Sequence, residues 1–325
     1  MKLPRRKFLH LAAGAAALPA VSRVAWAQAY PSRPVRLVVG YGAGGGTDIT
    51  ARLIGQWLSE RLSQQFVIEN RPGAATNIAT EAVAKAAPDG YTLLLATAGN
   101  AINATLYDKL NFNFIRDIAP VASAIRVPLI MVVNPSFPAR TVPQFLAYAK
   151  LSPGGISMGS GGAGGPDHMS GELLKMMTGA NILHVPYRGL APALTDLIGG
   201  QVQLVFSTMP PALEYIRVDK LRALAVTTLT RFEGAPDIPT MGDFVPGYDT
   251  SQWYGIGAPR NTPAEVIDKL NKEINAGLAD PKLKARFSDI GGTVIPGSPA
   301  DFGKLIADET EKWRKVIKFG GIKPE

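Results

Sequence analysis

The 325-residue chain contains no cysteine, which excludes disulfides and thiolate metal ligands. Histidine is nearly as scarce, with only His168 and His184 beyond residue 27, so a zinc site would have to lean on carboxylates. Neither a metal nor a cofactor is expected. Long apolar runs are missing as well. No stretch approaches the ~18 uninterrupted apolar residues a membrane-spanning helix needs, so none is expected. A charge excess is mostly absent too: the formal +8 includes five basic residues and no acid within the first 27 positions. Without them 29 basic residues face 26 acids, a net +3, which gives little support to a nucleic-acid partner.

Those first 27 residues, MKLPRRKFLHLAAGAAALPAVSRVAWA, have the anatomy of a cleaved export signal. A basic start leads into an apolar middle, and Ala25-Trp26-Ala27 supplies a small-x-small cleavage site. Arg5-Arg6 before Lys7-Phe8-Leu9 matches a twin-arginine signal, with an ordinary secretory signal as the alternative. The 298 residues that follow suffice for two domains of ordinary size.

That remainder alternates short apolar runs with helical patterns, which predicts an α/β architecture with largely parallel sheets. VRLVVG (35–40), QQFVIEN (64–70), YTLLLAT (91–97), VPLIMVVNP (127–135), NILHVPYRG (181–189), KLRALAVTT (220–228) and SQWYGIGAP (251–259) read as strands, as does QVQLVFS up to Ser207. After the first strand, Ile49, Leu53, Trp57 and Leu58 recur at helical spacing, with Thr47 or Asp48 as the expected N-cap. Residues 231–250, rich in proline, glycine and aspartate, read as a connector. The chain closes with a long amphipathic helix from Pro299 to Lys318.

Two glycine-rich stretches carry the chemistry. VVGYGAGGGTDITAR (38–52) and GISMGSGGAGGPDHMSGELLKMMTG (155–179) each run strand, glycine loop, helix. A helix N-terminus presents unpaired N–H groups at the positive end of its dipole, and so binds anions without a side-chain cation. Gly40, Gly42 and Gly45, and again Gly159, Gly161 and Gly164, also fit the dinucleotide pattern G-x-G-x-x-G, with Glu69 as a candidate ribose partner. Against that reading, Asp48 puts an acid where a pyrophosphate would sit, and it fits better as a cap or as a partner for Arg52. An exported nucleotide-dependent oxidoreductase remains the alternative of another class. Gly155-Ile156-Ser157-Met158-Gly159 fits a nucleophile elbow, but a helix should follow the serine at once, and nine loop residues intervene before Asp167. No catalytic residue is assigned.

In open α/β sheets ligands bind at the carboxyl ends of strands. This adds Thr97, Asn100, Tyr187, Arg188, Ser207 and Thr208 to the candidate cleft. His168 opens a helix beside the second loop, where packing and ligand contact are both open roles. His184 reads as structural.

The segments YPSRPVRLVVGYGAGGGTDITARLI, ENRPGAATNIATEAVAKAAPDGYTLL, HMSGELLKMMTG, HVPYRGLAPALTDLIGGQVQL, KLRALAVTT and WYGIGAPRNTPAEVIDKLNKEIN together resemble the Bug-type family, the solute receptors of tripartite tricarboxylate transporters. The resemblance runs from Tyr30 to the terminal GIKPE. It implies a periplasmic, monomeric receptor of two α/β lobes (a Venus-flytrap, type II-like binding protein) with a ligand cleft between them. Residues 28–126 with 229–325 would form one lobe and 127–228 the other. The partners it implies are a small organic carboxylate and either membrane permease subunits or a sensor protein. Carboxylate contacts would come from Tyr41, Gly42, Ala43, Gly44, Gly45, Gly46, Thr47 and Asp48 in the first loop. Ser160, Gly161, Gly162, Ala163 and His168 would supply them in the second. Two departures stand out: Gly40-Tyr41 replaces the family's frequent Pro-Phe, and Ser207 stands where an aspartate is common, which removes a negative charge near the cleft.

Overall fold

The computed structural model describes residues 30–324, so the expected export signal lies outside the described residues. Three parallel strands open the fold: β1 (Val35–Val39), β2 (Phe66–Asn70) and β3 (Thr92–Thr97), in the order β2-β1-β3. Only Arg36 of β1 reaches solvent, as expected of a strand covered on both faces. Next to β3 lies β9 (Ser251–Pro259), antiparallel to it and wholly buried, and beyond β9 runs β4 (Ile118–Val133).

β4 links two sheets. Its residues 118–128 pair antiparallel with β9; from Leu129 onward it pairs with β7 (Leu204–Thr208), while residues 130–133 also pair with β8 (Arg222–Val226). The second sheet continues from β7 through β5 (Ile156–Ser160) to β6 (Ile182–Pro186), all three mutually parallel. A short β10 (Thr293–Val294) joins β4 at Ile125 and Arg126.

The expectation of largely parallel sheets therefore needs correction. Each wing is parallel, but β4 and β9 run antiparallel at the centre. The sequence also hides the first half of β4, expected to begin only at Val127. Pro120 and small residues between 119 and 124 mask it, and the ladder slips between Pro120 and Ala122, where a bulge accommodates the missing proline N–H.

Helices α1 (Gly46–Leu62), α2 (Asn77–Ala84), α3 (Ala98–Leu106), α4 (Phe114–Asp117), α5 (Val142–Leu151), α6 (Pro166–Thr178), α7 (Leu190–Ile198), α8 (Met209–Arg217), α9 (Ala264–Ala279), α10 (Pro281–Asp289) and α11 (Pro299–Gly320) cover the sheets. Helix α11 starts at a capping box, Ser298 with Asp301, and ends at Gly321 in the left-handed conformation. It buries Phe302, Ile306, Trp313, Val316 and Ile317, and the Phe302 ring meets Trp253 of β9 edge-on at 5.8 Å. One continuous apolar cluster joins these residues to Met131 of β4 and to Met169 and Leu173 of α6. Among the described residues no helix is long and apolar enough to cross a membrane.

Candidate functional site

The first glycine loop leaves β1 and enters α1. Gly45, not Thr47 or Asp48, is the N-cap: its extended backbone starts the helix two or three positions early and leaves Asp48 in the third helical position. From there the Asp48 side chain reaches back. Its Oδ2 accepts from the Gly44 N–H at 2.9 Å and from Arg52 Nε at 2.9 Å, and its Oδ1 accepts from Asn70 Nδ2 at 3.0 Å. Burial works against the charge, but Arg52, Gly44 and Asn70 outweigh it and hold this carboxyl below its ordinary range. Of the two expected roles, pairing with Arg52 is filled and capping is not; the carboxylate instead holds the Gly44 N–H from inside the helix. Gly42, Ala43, Gly44, Gly45 and Gly46 are exposed. Among the described residues the N–H groups of Gly45, Gly46 and Thr47 meet no acceptor. Free donors at a helix start are the kind of group that can hold an anion.

The second loop carries the same sequence signature but is closed on itself. Gly161 N–H donates to Asp167 Oδ2, Gly162 N–H to Ser160 Oγ at 3.2 Å, Gly164 N–H to His168 Nδ1 at 3.0 Å, and Gly165 N–H to the Gly162 carbonyl at 3.4 Å. Pro166, the first residue of α6, has no N–H to offer. The Ser160 hydroxyl also meets His184 Nε2 at 2.6 Å, and the His184 ring stacks on His168 at 3.5 Å. Burial pushes the His184 pKa down to about 4, with His168 adding to the effect. On its far side His168 Nε2 faces Glu172 at 3.6 Å, which in turn accepts from Lys175 at 2.8 Å. Ser160 and His168 are thus buried and bonded within this loop, and His184 pairs with the one and stacks on the other.

A pocket of about 210 Å³ opens between these elements. Tyr41, Gln252 and Tyr254 line it from the first sheet; Leu129, Phe206, Thr208 and Leu190 line it from the second; Pro166 and Asp167 contribute the start of α6. Tyr254 binds Thr47 of the first loop, and burial raises its hydroxyl to about 12. Burial also raises Tyr41, whose hydroxyl partners Thr97. Asp167 is raised too: burial is the largest influence and exceeds the opposing pull of the Gly161, His168 and Asp167 backbone N–H groups. Gln252 is 8% exposed, and its Oε1 has no partner among the described residues.

Of the residues expected in the cleft, Tyr41 lines this pocket and Thr97 stands behind it. Asn100 is spent inside the protein. Its Oδ1 accepts from the Thr97 N–H at 2.7 Å, and its amide donates to Thr76 and Thr80 hydroxyls at 3.1 and 2.8 Å. Ser207 is fully buried and turns its hydroxyl onto the Thr208 carbonyl, whereas Thr208 faces the pocket. Tyr187 donates to Asp196 at 2.7 Å, away from the lining, and Arg188 is exposed. Sequence reasoning missed Asp167, Gln252 and Tyr254. The last two are legible only once β9 is known to run antiparallel, because pairing Tyr254 with Thr97 brings the start of β9 to the carboxyl end of β3.

Residues 50–322 match the tripartite tricarboxylate transporter family receptor. The chain belongs to that receptor family. Protein BugT of Bordetella pertussis is 35% identical over 300 residues, covering 91% of this chain and 92% of that protein. R. palustris Rpa4515, solved with adipate, is 38% identical with a TM-score of 0.79, covering 91% of this chain and all of that one. MatC (Rpa3494) from Rhodopseudomonas palustris, solved with bound malate, is 30% identical with a TM-score of 0.74, covering 89% of this chain and all of that one. These likenesses establish the two-lobed α/β fold of periplasmic binding proteins for this receptor.

Proposed function

We propose that this receptor works in the periplasm, capturing a small carboxylate-containing organic molecule and handing it to a membrane transporter without making or breaking a bond. The observation that carries the reading is the pocket lined from both sheets, with the open N–H turn of the first loop beside it through Tyr41, Thr47 and Tyr254. Relatives solved with adipate and with malate support a carboxylate as the ligand class. In this reading residues 28–126 and 229–325 form one lobe and 127–228 the other. The exchange of partners along β4 at Pro128 and Leu129 favours such a division. The Thr227 hydroxyl lies at the second crossing, donating to the Thr250 carbonyl at 2.7 Å. Function then comes from differential affinity: the ligand favours whichever arrangement of the lobes gives it both walls.

Thermal melts with a panel of C3–C6 mono- and dicarboxylates, amino acids and nicotinamide nucleotides test this. A ligand at ~100 times its Kd stabilises by about 2.7 kcal/mol, a shift that is easily read. Stabilisation by nucleotide with no response to any carboxylate would overturn the receptor reading in favour of a nucleotide-dependent enzyme.

A further inference from the structure

The two glycine loops share a sequence pattern but differ in what they can still bind, and the difference bears on which carboxylate fits. Asp167 is the only acidic side chain lining the pocket; the other lining residues are Tyr41, Leu129, Pro166, Leu190, Phe206, Thr208, Gln252 and Tyr254. No lysine, arginine or histidine lines the pocket with it. A dianion entering this pocket would find one open cluster of donors, at the first loop. At the other end it would meet a carboxylate that already holds the Gly161 N–H. The second-loop donors at Gly162, Gly164 and Gly165 are likewise taken by the chain, which leaves Ala163 alone against the cluster on the first loop. Like charges in a partly dry site repel strongly, while a cation would neutralise the buried acid. Gln252 adds a second acceptor to the same lining, nine-tenths buried, with its Oε1 lacking a partner among the described residues. An acid on the second loop and open donors on the first suit a molecule that carries a cation as well as a carboxylate.

Resting on the receptor reading above, we propose that Asp167 is the specificity-determining residue: it takes the ammonium of an amino acid whose carboxylate lies on the first loop, and it disfavours dicarboxylates.

Titration calorimetry at pH 7.5 with three length-matched series tests this: the C4–C6 ω-amino acids with their α-amino counterparts, the C4–C6 dicarboxylates, and the C4–C6 monocarboxylates. The wild-type protein should bind its best amino acid at least tenfold more tightly than the dicarboxylate of equal length. Asp167→Asn keeps an acceptor for the Gly161 N–H and so keeps the loop. It should erase that preference, weakening the amino acid and strengthening the dicarboxylate, while monocarboxylate affinity stays within threefold. A wild-type preference for dicarboxylates, or an amino-to-dicarboxylate ratio unchanged in Asp167→Asn, overturns the assignment and leaves the receptor reading standing. Silence from all three series overturns the receptor reading, and the assignment with it.

Discussion

Replacing Asp48 by alanine separates the two tasks that this carboxylate performs, holding the fold and holding the loop. The side chain is 2% exposed and accepts three hydrogen bonds, from Gly44, Arg52 and Asn70. The three losses are not equal. The Arg52 side chain is 54% exposed and returns to water, so that pair contributes less than about 1 kcal/mol. Gly44 is exposed, and its N–H also regains water; its bond contributes about 1 kcal/mol. Asn70 keeps its second amide hydrogen on the Tyr41 carbonyl at 3.0 Å, and losing the other costs about 1 kcal/mol more. Together the change removes about 2–3 kcal/mol, which lowers Tm by about 5 °C in a chain of this size. Binding should suffer separately. With Gly44 untethered, the turn from Tyr41 to Thr47 must be ordered by the ligand, and fixing even one backbone residue costs about 1–2 kcal/mol. A tenfold or greater loss of affinity follows. Calorimetric titration of the best carboxylate, with scanning fluorimetry of the free protein, reads both effects. An unchanged Kd alongside a lowered Tm would show that the loop needs no tether and would refute this account of the anion turn.

Other outcomes follow from the same structure. His184 takes its proton near 6.5 in the unfolded chain but only near 4 in the folded one. The folded state therefore has its full stability above about pH 6.5 and loses it progressively as pH falls towards 4, by up to about 3 kcal/mol. Urea melts at pH 7.5 and 5.0 measure the loss, and His184→Gln should flatten the difference. Gly255→Ala should be severe, because a new Cβ would lie 2.3 Å from the Phe302 ring and 2.7 Å from the Ala122 carbonyl oxygen. Overpacking of this kind costs about 1–3 kcal/mol, and the backbone clash adds to it. A Tm within 2 °C of the wild-type value would show that the β4–β9 contact yields more readily than its geometry implies.

Most of the architecture was legible in the sequence because strand and helix periods differ and the chain alternates them cleanly. What escaped has identifiable causes. AGNAINATL, the sequence of α3, is rich in small and polar residues, so its helix shows little apolar period; it is started by Thr97 and Asn100, residues that had been assigned to the ligand. The first half of β4 is too small-sided and proline-broken to look like a strand. The pocket was found only in part because the strand-end rule describes parallel strands. Applied to β9, which runs the other way, it would look at Pro259 when the pocket wall is Gln252 and Tyr254.

Glycine count did not decide which loop stays open; the acid in the first helical turn did. Both loops carry one, Asp48 in the third position of its helix and Asp167 in the second. From the third position the side chain clears the turn and finds Arg52 and Asn70 behind it. It takes only the Gly44 N–H of the loop, and the donors of Gly45, Gly46 and Thr47 meet no acceptor among the described residues. From the second position the side chain folds over the helix start and takes the Gly161 N–H itself, with no arginine to draw it away. A shift of one residue thus separates a turn whose donors stay open from a turn whose donor is taken by its own acid, in two motifs that read alike.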